Sequence, residues 1–205
     1  MINTTNLRNY LEQVDFALIQ LFQALNHYKD TINKMVSMSL ELGSDAVTGV
    51  ANGDFRERAK KLSSITKEFK GIYFSNAIIA GSILQIAHNA IETYSLNTFV
   101  PSDLLELGLK PKTISKFCIG SRIKNVPTGL LIYAGRNQHM HCMEPDFHEA
   151  TKTIFNKISL WPADGSQDPA WDLSERKTIS YSLEIVALLE WDKPKQVTDF
   201  LEKNL

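Results

Sequence analysis

The fold class is decided by residues 7–35, LRNYLEQVDFALIQLFQALNHYKDTINKM, in which apolar side chains recur at alternating steps of four and three residues. The members of this series are Leu7, Leu11, Val14, Leu18, Leu21, Leu25, Tyr28, Ile32 and Met35. This spacing places one apolar stripe along a helix. The stripe fits a coiled coil or one buried face of a bundle helix, and the bundle is favoured because other apolar helices follow to cover it.

Helical periodicity continues along the rest of the chain. After a loop over residues 43–54, we expect helices from Phe55, over 72–94, 104–107 and 113–123, from Pro127 to before Pro145, over 146–160, from Asp172 or Ser174 to Trp191, and from Pro194. No stretch alternates apolar and polar residues over five or more positions between hairpin turns, so no strand is expected. The predicted fold class is all-α, an up-and-down helical bundle of four to five main helices with short additional helices.

Composition indicates an ordinary globular chain. Its 205 residues suit a single domain, 1–205, and the hydrophobic and charged fractions, 43% and 22%, are typical of soluble proteins. No apolar run approaches the roughly 20 residues that cross a bilayer, and the N-terminus lacks the regions of a signal peptide, so we expect a cytoplasmic protein without membrane contact. Cys118 and Cys142 lack metal-ligand spacing, and no phosphate-binding glycine motif is present, so we expect neither a metal nor a cofactor.

The chemically richest stretch is YAGRNQHMH, residues 133–141. Arg136 offers a planar fork of donors suited to phosphate, and histidine exchanges protons near neutrality, so together they suit phosphodiester cleavage. On one helix, Asn137 and His141 share a face, whereas Arg136 lies roughly 140° round the axis from His141. One copy of this helix is therefore expected to converge its groups poorly, and a second copy across a two-fold axis would complete a composite cleft.

Arg136, Asn137 and His141 match an Arg, a polar residue directly after it, and a His four to six residues further on. This pattern resembles the signature of the HEPN family of small all-α domains, in which it marks metal-independent ribonuclease sites near the end of a helix that another helix follows closely, as Pro145 implies here. The resemblance covers the motif and the helical layout. It implies a homodimer that cleaves RNA as a toxin or antiviral defence effector, with a cognate antitoxin protein as a further partner.

Positive charge is concentrated before and within the motif. Between Glu106 and Glu144 the chain has no acidic residue and six basic ones: Lys110, Lys112, Lys116, Arg122, Lys124 and Arg136. Such a cluster would attract a polyanion, so the first five are candidate RNA-binding residues. The alternative is a solvated connector whose basic side chains never meet in space.

Other polar residues are given structural roles. His88 and Asn89 are interpreted as satisfied polar groups near the core, and Glu92 is at most an accessory acid. His148 is expected to be exposed. His139 and His141, two residues apart, project from different sides of a helix and make a poor metal pair, and no role is assigned to His139.

Three functional hypotheses follow. The first is the endoribonuclease, in which His141 moves the proton of the ribose 2′-hydroxyl or protonates the leaving oxygen, Arg136 stabilises the transition state, and Asn137 orients the imidazole or the phosphate. The second is a non-catalytic HEPN-like module that binds a nucleotide, RNA or a protein. The third is a helical interaction protein in which Arg136 pairs with Glu144 or Glu149.

Overall fold

Two long helices form the frame of the molecule. The computed structural model describes residues 4–47, 55–144, 146–160, 165–171, 173 and 179–205. Helix α1 spans Thr4–Val47 and helix α2 spans Phe55–Tyr94. The two pack along each other, and the Tyr10 hydroxyl donates a hydrogen bond to the Ile86 carbonyl at 2.8 Å. Leu7, Leu11, Leu18, Leu25 and Met35 of the predicted stripe are buried, which confirms that α1 is a bundle helix with one face in the core.

Shorter elements pack against this pair. They are α3 (Ser102–Leu105), α4 (Pro111–Ile114), a 3₁₀ turn (Ser115–Phe117), strands β1 (Arg122–Ile123) and β2 (Val126–Pro127), α5 (Thr128–Met140), α6 (Glu149–Ser159), a second 3₁₀ turn (Pro169–Trp171), α7 (Ser182–Leu188) and α8 (Pro194–Asn204). The fold is thus mostly helical, as the sequence predicted. Across the described ranges, no helix is both long enough and apolar enough to span a membrane.

The structure contains a small hairpin that the sequence analysis did not predict. Strands β1 and β2 are antiparallel, with Arg122 opposite Pro127 and Ile123 opposite Val126. The two linking residues, Lys124 and Asn125, both have positive φ, 48° and 61°, as the tight turn of a two-residue hairpin requires. The prediction of no strand was therefore wrong, and the segment 113–123, predicted as a helix, is helical only as far as Phe117. Strands of two residues are too short to produce a visible alternation.

Several predicted boundaries also differ from the structure. Helix α1 continues through 43–47, where a loop was expected, and residues 48–54 lie outside the described part of the chain. Helix α6 begins at Glu149 rather than at 146, and α3 covers 102–105 rather than 104–107. Helix α7 is limited to Ser182–Leu188, and its predicted start at Asp172 or Ser174 lies outside the described residues. The C-terminal helix begins at Pro194 as predicted.

Helix α5 is the most deeply buried element. Its residues from Thr128 to Gly135 are all buried, and it packs between α2, α6 and α7. Gln138 is also fully buried, and its amide donates to the Ile179 carbonyl and accepts from the Tyr181 backbone N–H, both at 2.8 Å. The segment that leads into α7 is thereby fastened to α5. The last turn of α5, which leads to the site, is thus held against the segment that precedes α7.

Gly129 allows the start of α5 to lie directly against the 3₁₀ turn. A Cβ atom at this position would lie 2.4 Å from the Phe117 carbonyl oxygen, a backbone atom that cannot move aside cheaply. This close contact explains why a residue that is unfavourable inside a helix occurs here.

We predict that Gly129→Ala lowers the free energy of unfolding by about 1–3 kcal/mol, because the added methyl group overpacks the contact with residue 117. Urea unfolding followed by circular dichroism measures this change. The matched control is Gly71→Ala in α2, where a Cβ meets nothing within 4 Å. That variant should gain about 0.5–1 kcal/mol from the better helix former. Equal effects of the two substitutions would contradict the close-contact explanation.

Candidate functional site

All three residues of the predicted motif line one cleft in a single chain. The cleft has a volume of about 590 Å³ and lies between α2, α5, the segment 108–110 and the start of α6. Its lining residues are His88, Glu92, Gly108, Leu109, Lys110, Tyr133, Arg136, Asn137, His141, His148, Glu149, Ala150 and Thr153. The volume is in the range of small-molecule and nucleotide sites. The expectation that one chain converges these groups poorly was therefore wrong.

The departure from ideal helical geometry occurs at the end of α5. The helix ends at Met140, and His141 follows it with φ −113° and ψ 13°, outside regular helical values. The direction of the His141 side chain is therefore not set by the rotation of 100° per residue that a regular α-helix imposes. The Arg136 guanidinium also comes closer to the face that Asn137 and His141 share, because the long side chain bends toward Asn137 and α2.

Arg136 is held by two neutral amides. Its Nε donates to Gln85 Oε1 at 2.7 Å, and its Nη1 donates to Asn137 Oδ1 at 2.9 Å. The Gln85 amide in turn donates to Asn89 Oδ1 at 2.5 Å. No carboxylate of the described residues forms an ion pair with Arg136, so the predicted pairing with Glu144 or Glu149 is wrong. A half-buried guanidinium without a counter-charge is suited to binding an anion.

Asn137 contacts Arg136 and also lines the cleft. It is only 7% exposed, and its Oδ1 accepts the hydrogen bond from Arg136. Its Oδ1 thereby helps to position the guanidinium, and its expected contact with the imidazole or the phosphate stays a prediction. The backbone carbonyl of Asn137 accepts from the His141 backbone N–H at 3.1 Å.

His141 is oriented by a carboxylate. Its Nδ1 lies 2.6 Å from Glu144 Oε1, three residues further along the chain. An ionised carboxylate can only accept a hydrogen bond, so Nδ1 carries the proton and Nε2 is the nitrogen that can exchange a proton with a ligand. The ring of His148 contacts that of His141 edge to face, with centroids 5.3 Å apart. His148 is exposed, as predicted.

The five candidate RNA-binding residues differ in the contacts that they make. Lys110 lines the cleft, and Lys112 is exposed outside it. The other three make internal contacts: Lys116 Nζ donates to the Glu92 carbonyl, Arg122 pairs with both oxygens of Asp103 at 2.8 and 2.9 Å, and Lys124 Nζ donates to the Ile158 carbonyl at 2.7 Å. Of these five residues, the structure brings Lys110 alone to the cleft.

His139 is a packing residue. Its Nδ1 lies 2.8 Å from Ser180 Oγ, and its ring occupies the space beside Gly81 of α2, where a Cβ would approach it within 2.3 Å. It is absent from the cleft lining. Burial and the charge of Arg136 lower the pKa of His139, so the ring stays neutral within the packed structure.

His88 is the main site residue that sequence reasoning missed. It lines the cleft, is only 6% exposed, and its ring contacts those of Phe117 and Tyr133 with centroids 4.7 and 6.1 Å apart. Its Nδ1 has no hydrogen-bond partner, so the expectation of a satisfied core histidine was wrong. The nearest acid is Glu92, whose Oε2 lies 3.8 Å from Nδ1. The spacing of four residues between His88 and Glu92 was the only sequence signal.

The environment of His88 keeps its imidazole neutral. Burial, reinforced by the charge of Arg136, lowers the pKa of His88 from 6.5 to about 4, and Glu92 opposes this shift in part. The unfolded chain therefore binds a proton at this residue at a higher pH than the folded chain does. The stability that this difference contributes is complete above pH 6.5 and is lost as the pH falls toward 4.

We predict that replacing His88 removes a pH-dependent part of the stability. In the wild type, this part amounts to about 3 kcal/mol of unfolding free energy. It is lost as the pH falls from the pKa of His88 in the unfolded chain to its pKa in the folded chain. His88→Gln should therefore show a smaller decrease in unfolding free energy between about pH 7 and pH 4.5. Chemical unfolding at a series of pH values measures the difference. The matched control, His27→Gln on the exposed face of α1, should retain the wild-type dependence.

Comparisons with protein-family models, with curated proteins and with solved structures returned no match. The chemistry of the cleft is therefore inferred from the cleft's own residues.

Proposed function

We propose that this protein is a metal-independent endoribonuclease of the HEPN type. One observation carries the proposal: the guanidinium of Arg136, which has amide partners and no ion pair among the described residues, and the carboxylate-oriented imidazole of His141 line the same cleft. The first group suits a phosphate and the second suits a proton transfer, and phosphodiester cleavage needs both. The motif formed by Arg136, Asn137 and His141 supports the same reaction through its resemblance to the family.

In this mechanism, the scissile phosphate binds to Arg136. The guanidinium keeps its charge at every relevant pH and is already positioned by Gln85 and Asn137, so it needs little reorganisation when negative charge increases in the transition state. Lys110 at the same cleft adds a second positive charge. Electrostatic stabilisation by these cations would take the place of a metal ion.

Proton transfer is assigned to Nε2 of His141, which takes the proton of the attacking 2′-hydroxyl or delivers one to the leaving 5′-oxygen. Glu144 fixes the ring so that Nε2 is the available nitrogen. The expected products end in a 2′,3′-cyclic phosphate and a 5′-hydroxyl. DNA lacks the attacking hydroxyl and should not be cleaved.

A homodimer, a cognate antitoxin and a role as a toxin or defence effector in the cytoplasm belong to the same proposal. They rest on the resemblance to the family. The geometric reason for a second copy is absent, since one chain already brings Arg136 and His141 to one cleft. Light scattering coupled to size-exclusion chromatography tests the dimer directly.

The second candidate is a non-catalytic module that binds a nucleotide or RNA through Arg136. The two amide contacts that hold the guanidinium in place favour it, because they prepare a phosphate ligand whether or not cleavage follows. Such a module would bind RNA equally well without His141 and would leave the RNA intact.

We predict that the purified protein cleaves RNA in the presence of a chelator. Arg136→Ala and His141→Ala should each reduce the rate by a factor on the order of 10² or more, because each removes a group that acts in the transition state. Gel electrophoresis of a defined single-stranded RNA measures the rate, and mass spectrometry identifies the cyclic phosphate ends.

The controls use variants that share the fold. His27→Gln removes a histidine outside the cleft and should keep full activity, and circular dichroism should show all variants to be folded. A DNA of the same sequence should survive. Cleavage that persists at the wild-type rate in His141→Ala would point to a contaminating nuclease, and binding without cleavage by the wild type would favour the second candidate.

We also predict that Lys110→Ala weakens RNA binding and that Lys112→Ala has little effect. Lys110 lines the cleft, whereas Lys112 does not. The two lysines carry the same charge and are two residues apart, so Lys112→Ala is a matched control. Fluorescence anisotropy in the His141→Ala background, which leaves the RNA uncut, measures affinity over a range of salt concentrations. Loss of one phosphate contact should reduce the slope of log affinity against log salt by about 1. Equal slopes for the two variants would contradict this assignment.

A further inference from the structure

We propose that His88 is a second catalytic histidine, the general base that takes the 2′-hydroxyl proton, and that His141 is the general acid that protonates the leaving oxygen. This inference rests on the proposed ribonuclease function and specifies its mechanism. It departs from an arrangement in which a single histidine serves the reaction, and it requires one chain alone.

The packing of α2 against α5 places His88 next to Arg136. Gln85 of α2 contacts Arg136 of α5, and one turn away His88 contacts Tyr133. From the first contact to the second, the position on α2 rises by three, from 85 to 88, and the position on α5 falls by three, from 136 to 133. The two helices are therefore antiparallel and in register here. His88 and Arg136 therefore lie about one helical turn, roughly 5 Å, apart along the helix pair. A phosphate bound to Arg136 would have its ribose within reach of this ring.

Of the two ring nitrogens, Nε2 is the one that His88 can offer to a ligand. Nδ1 is sealed from solvent and has no hydrogen-bond partner. An unmatched buried polar atom costs about 1–3 kcal/mol, and such a cost is expected where function requires it. Glu92 Oε2, 3.8 Å from Nδ1, is too distant for a hydrogen bond but favours a proton on Nδ1. That tautomer leaves a lone pair on Nε2, as a general base requires.

The two histidines thus form a pair of similar units. Each has a carboxylate on its Nδ1 side: Glu92 for His88, four residues along α2, and Glu144 for His141, three residues along the chain. Their environments differ. Glu144 forms a close ion pair with His141 when that ring is protonated, whereas the apolar packing of His88 between Phe117 and Tyr133 disfavours a charge.

This difference assigns the roles of the two rings. His88 is neutral at physiological pH because burial lowers its pKa, so its Nε2 lone pair is free to accept a proton, and the negative charge of a phosphate on Arg136 would favour the imidazolium that forms. His141 takes the other role, because the contact of its Nδ1 with Glu144 Oε1 at 2.6 Å leaves Nε2 as the nitrogen that faces a ligand.

The proton balance of the reaction is complete. His88 Nε2 takes the proton from the 2′-hydroxyl as the 2′-oxygen bonds to phosphorus. The bond from phosphorus to the 5′-oxygen breaks, and His141 Nε2 delivers its proton to that oxygen. The products are a 2′,3′-cyclic phosphate and a 5′-hydroxyl, with His88 protonated and His141 neutral. Exchange of protons with water restores both rings, and no metal or redox partner takes part.

The test compares His88→Gln and His141→Ala on two RNA substrates. One is a natural oligonucleotide whose cleavage site has been mapped with the wild type. The other carries a bridging sulfur in place of the 5′-oxygen at that linkage, so that its leaving thiolate needs no proton. Glutamine keeps a polar amide of similar reach to Nε2 but cannot accept a proton, and His27→Gln is the control outside the cleft.

On the natural RNA, we expect His88→Gln to lower kcat by a factor on the order of 10²–10⁴ with little change in KM. On the sulfur-bridged RNA, His141→Ala should regain most of the lost rate, because the acid is no longer needed, whereas His88→Gln should remain slow. A purely structural histidine would not give this selective pattern. Melting curves confirm that each variant is folded at the assay temperature.

Several outcomes would overturn the assignment. Wild-type kcat in His88→Gln, a change confined to KM, or recovery of both variants with the sulfur substrate would exclude His88 as the base while leaving the ribonuclease function intact. If the wild type cleaves no RNA, the proposed function fails and the role of His88 fails with it. The two failures are therefore distinguishable from the wild-type control.

Discussion

The site depends on the packing of the buried helix α5 along α2. Two contacts made one turn apart, Gln85 with Arg136 and His88 with Tyr133, fix both the direction and the register of the two helices. Gln138 fastens the same end of α5 to the segment before α7. A register change of one residue on a helix rotates its side chains by about 100°, so each of these contacts would be lost. The core thus sets the positions of the cleft residues that α2 and α5 carry, such as His88 and Arg136.

The electrostatic character of the cleft follows from which charges are compensated. Arg122 is paired with Asp103, and Lys116 and Lys124 donate to backbone carbonyls, so these cations serve to attach the hairpin and the 3₁₀ turn to their neighbours. Arg136 has amide partners in place of a carboxylate. Amides hold its geometry without cancelling its charge. An arginine fixed in this way keeps its attraction for an anion, whereas one in a carboxylate ion pair loses most of it.

The sequence predicted the features that depend on local periodicity, and it missed those that depend on distant contacts. The apolar series from Leu7 to Met35 was sufficient to predict α1. The motif identified Arg136, Asn137 and His141, which all line the cleft, although the cleft was expected to need a second copy of the chain. The hairpin was missed because Lys124 and Asn125 form the turn with positive φ between strands of only two residues. The site role of His88 was missed because it arises from packing against Phe117 and Tyr133, residues about 30 and 45 positions away in the chain. A count of basic residues could not show that three of the five candidate RNA ligands have internal partners.

The contact between Gly81 and the ring of His139 has a consequence for sequence variation. The imidazole occupies the volume that any larger residue at position 81 would need, so the two positions share one space between α2 and α5. A side chain at position 81 would require the ring of His139 to move or position 139 to become smaller. Related sequences that carry a larger residue at 81 should therefore also differ at 139.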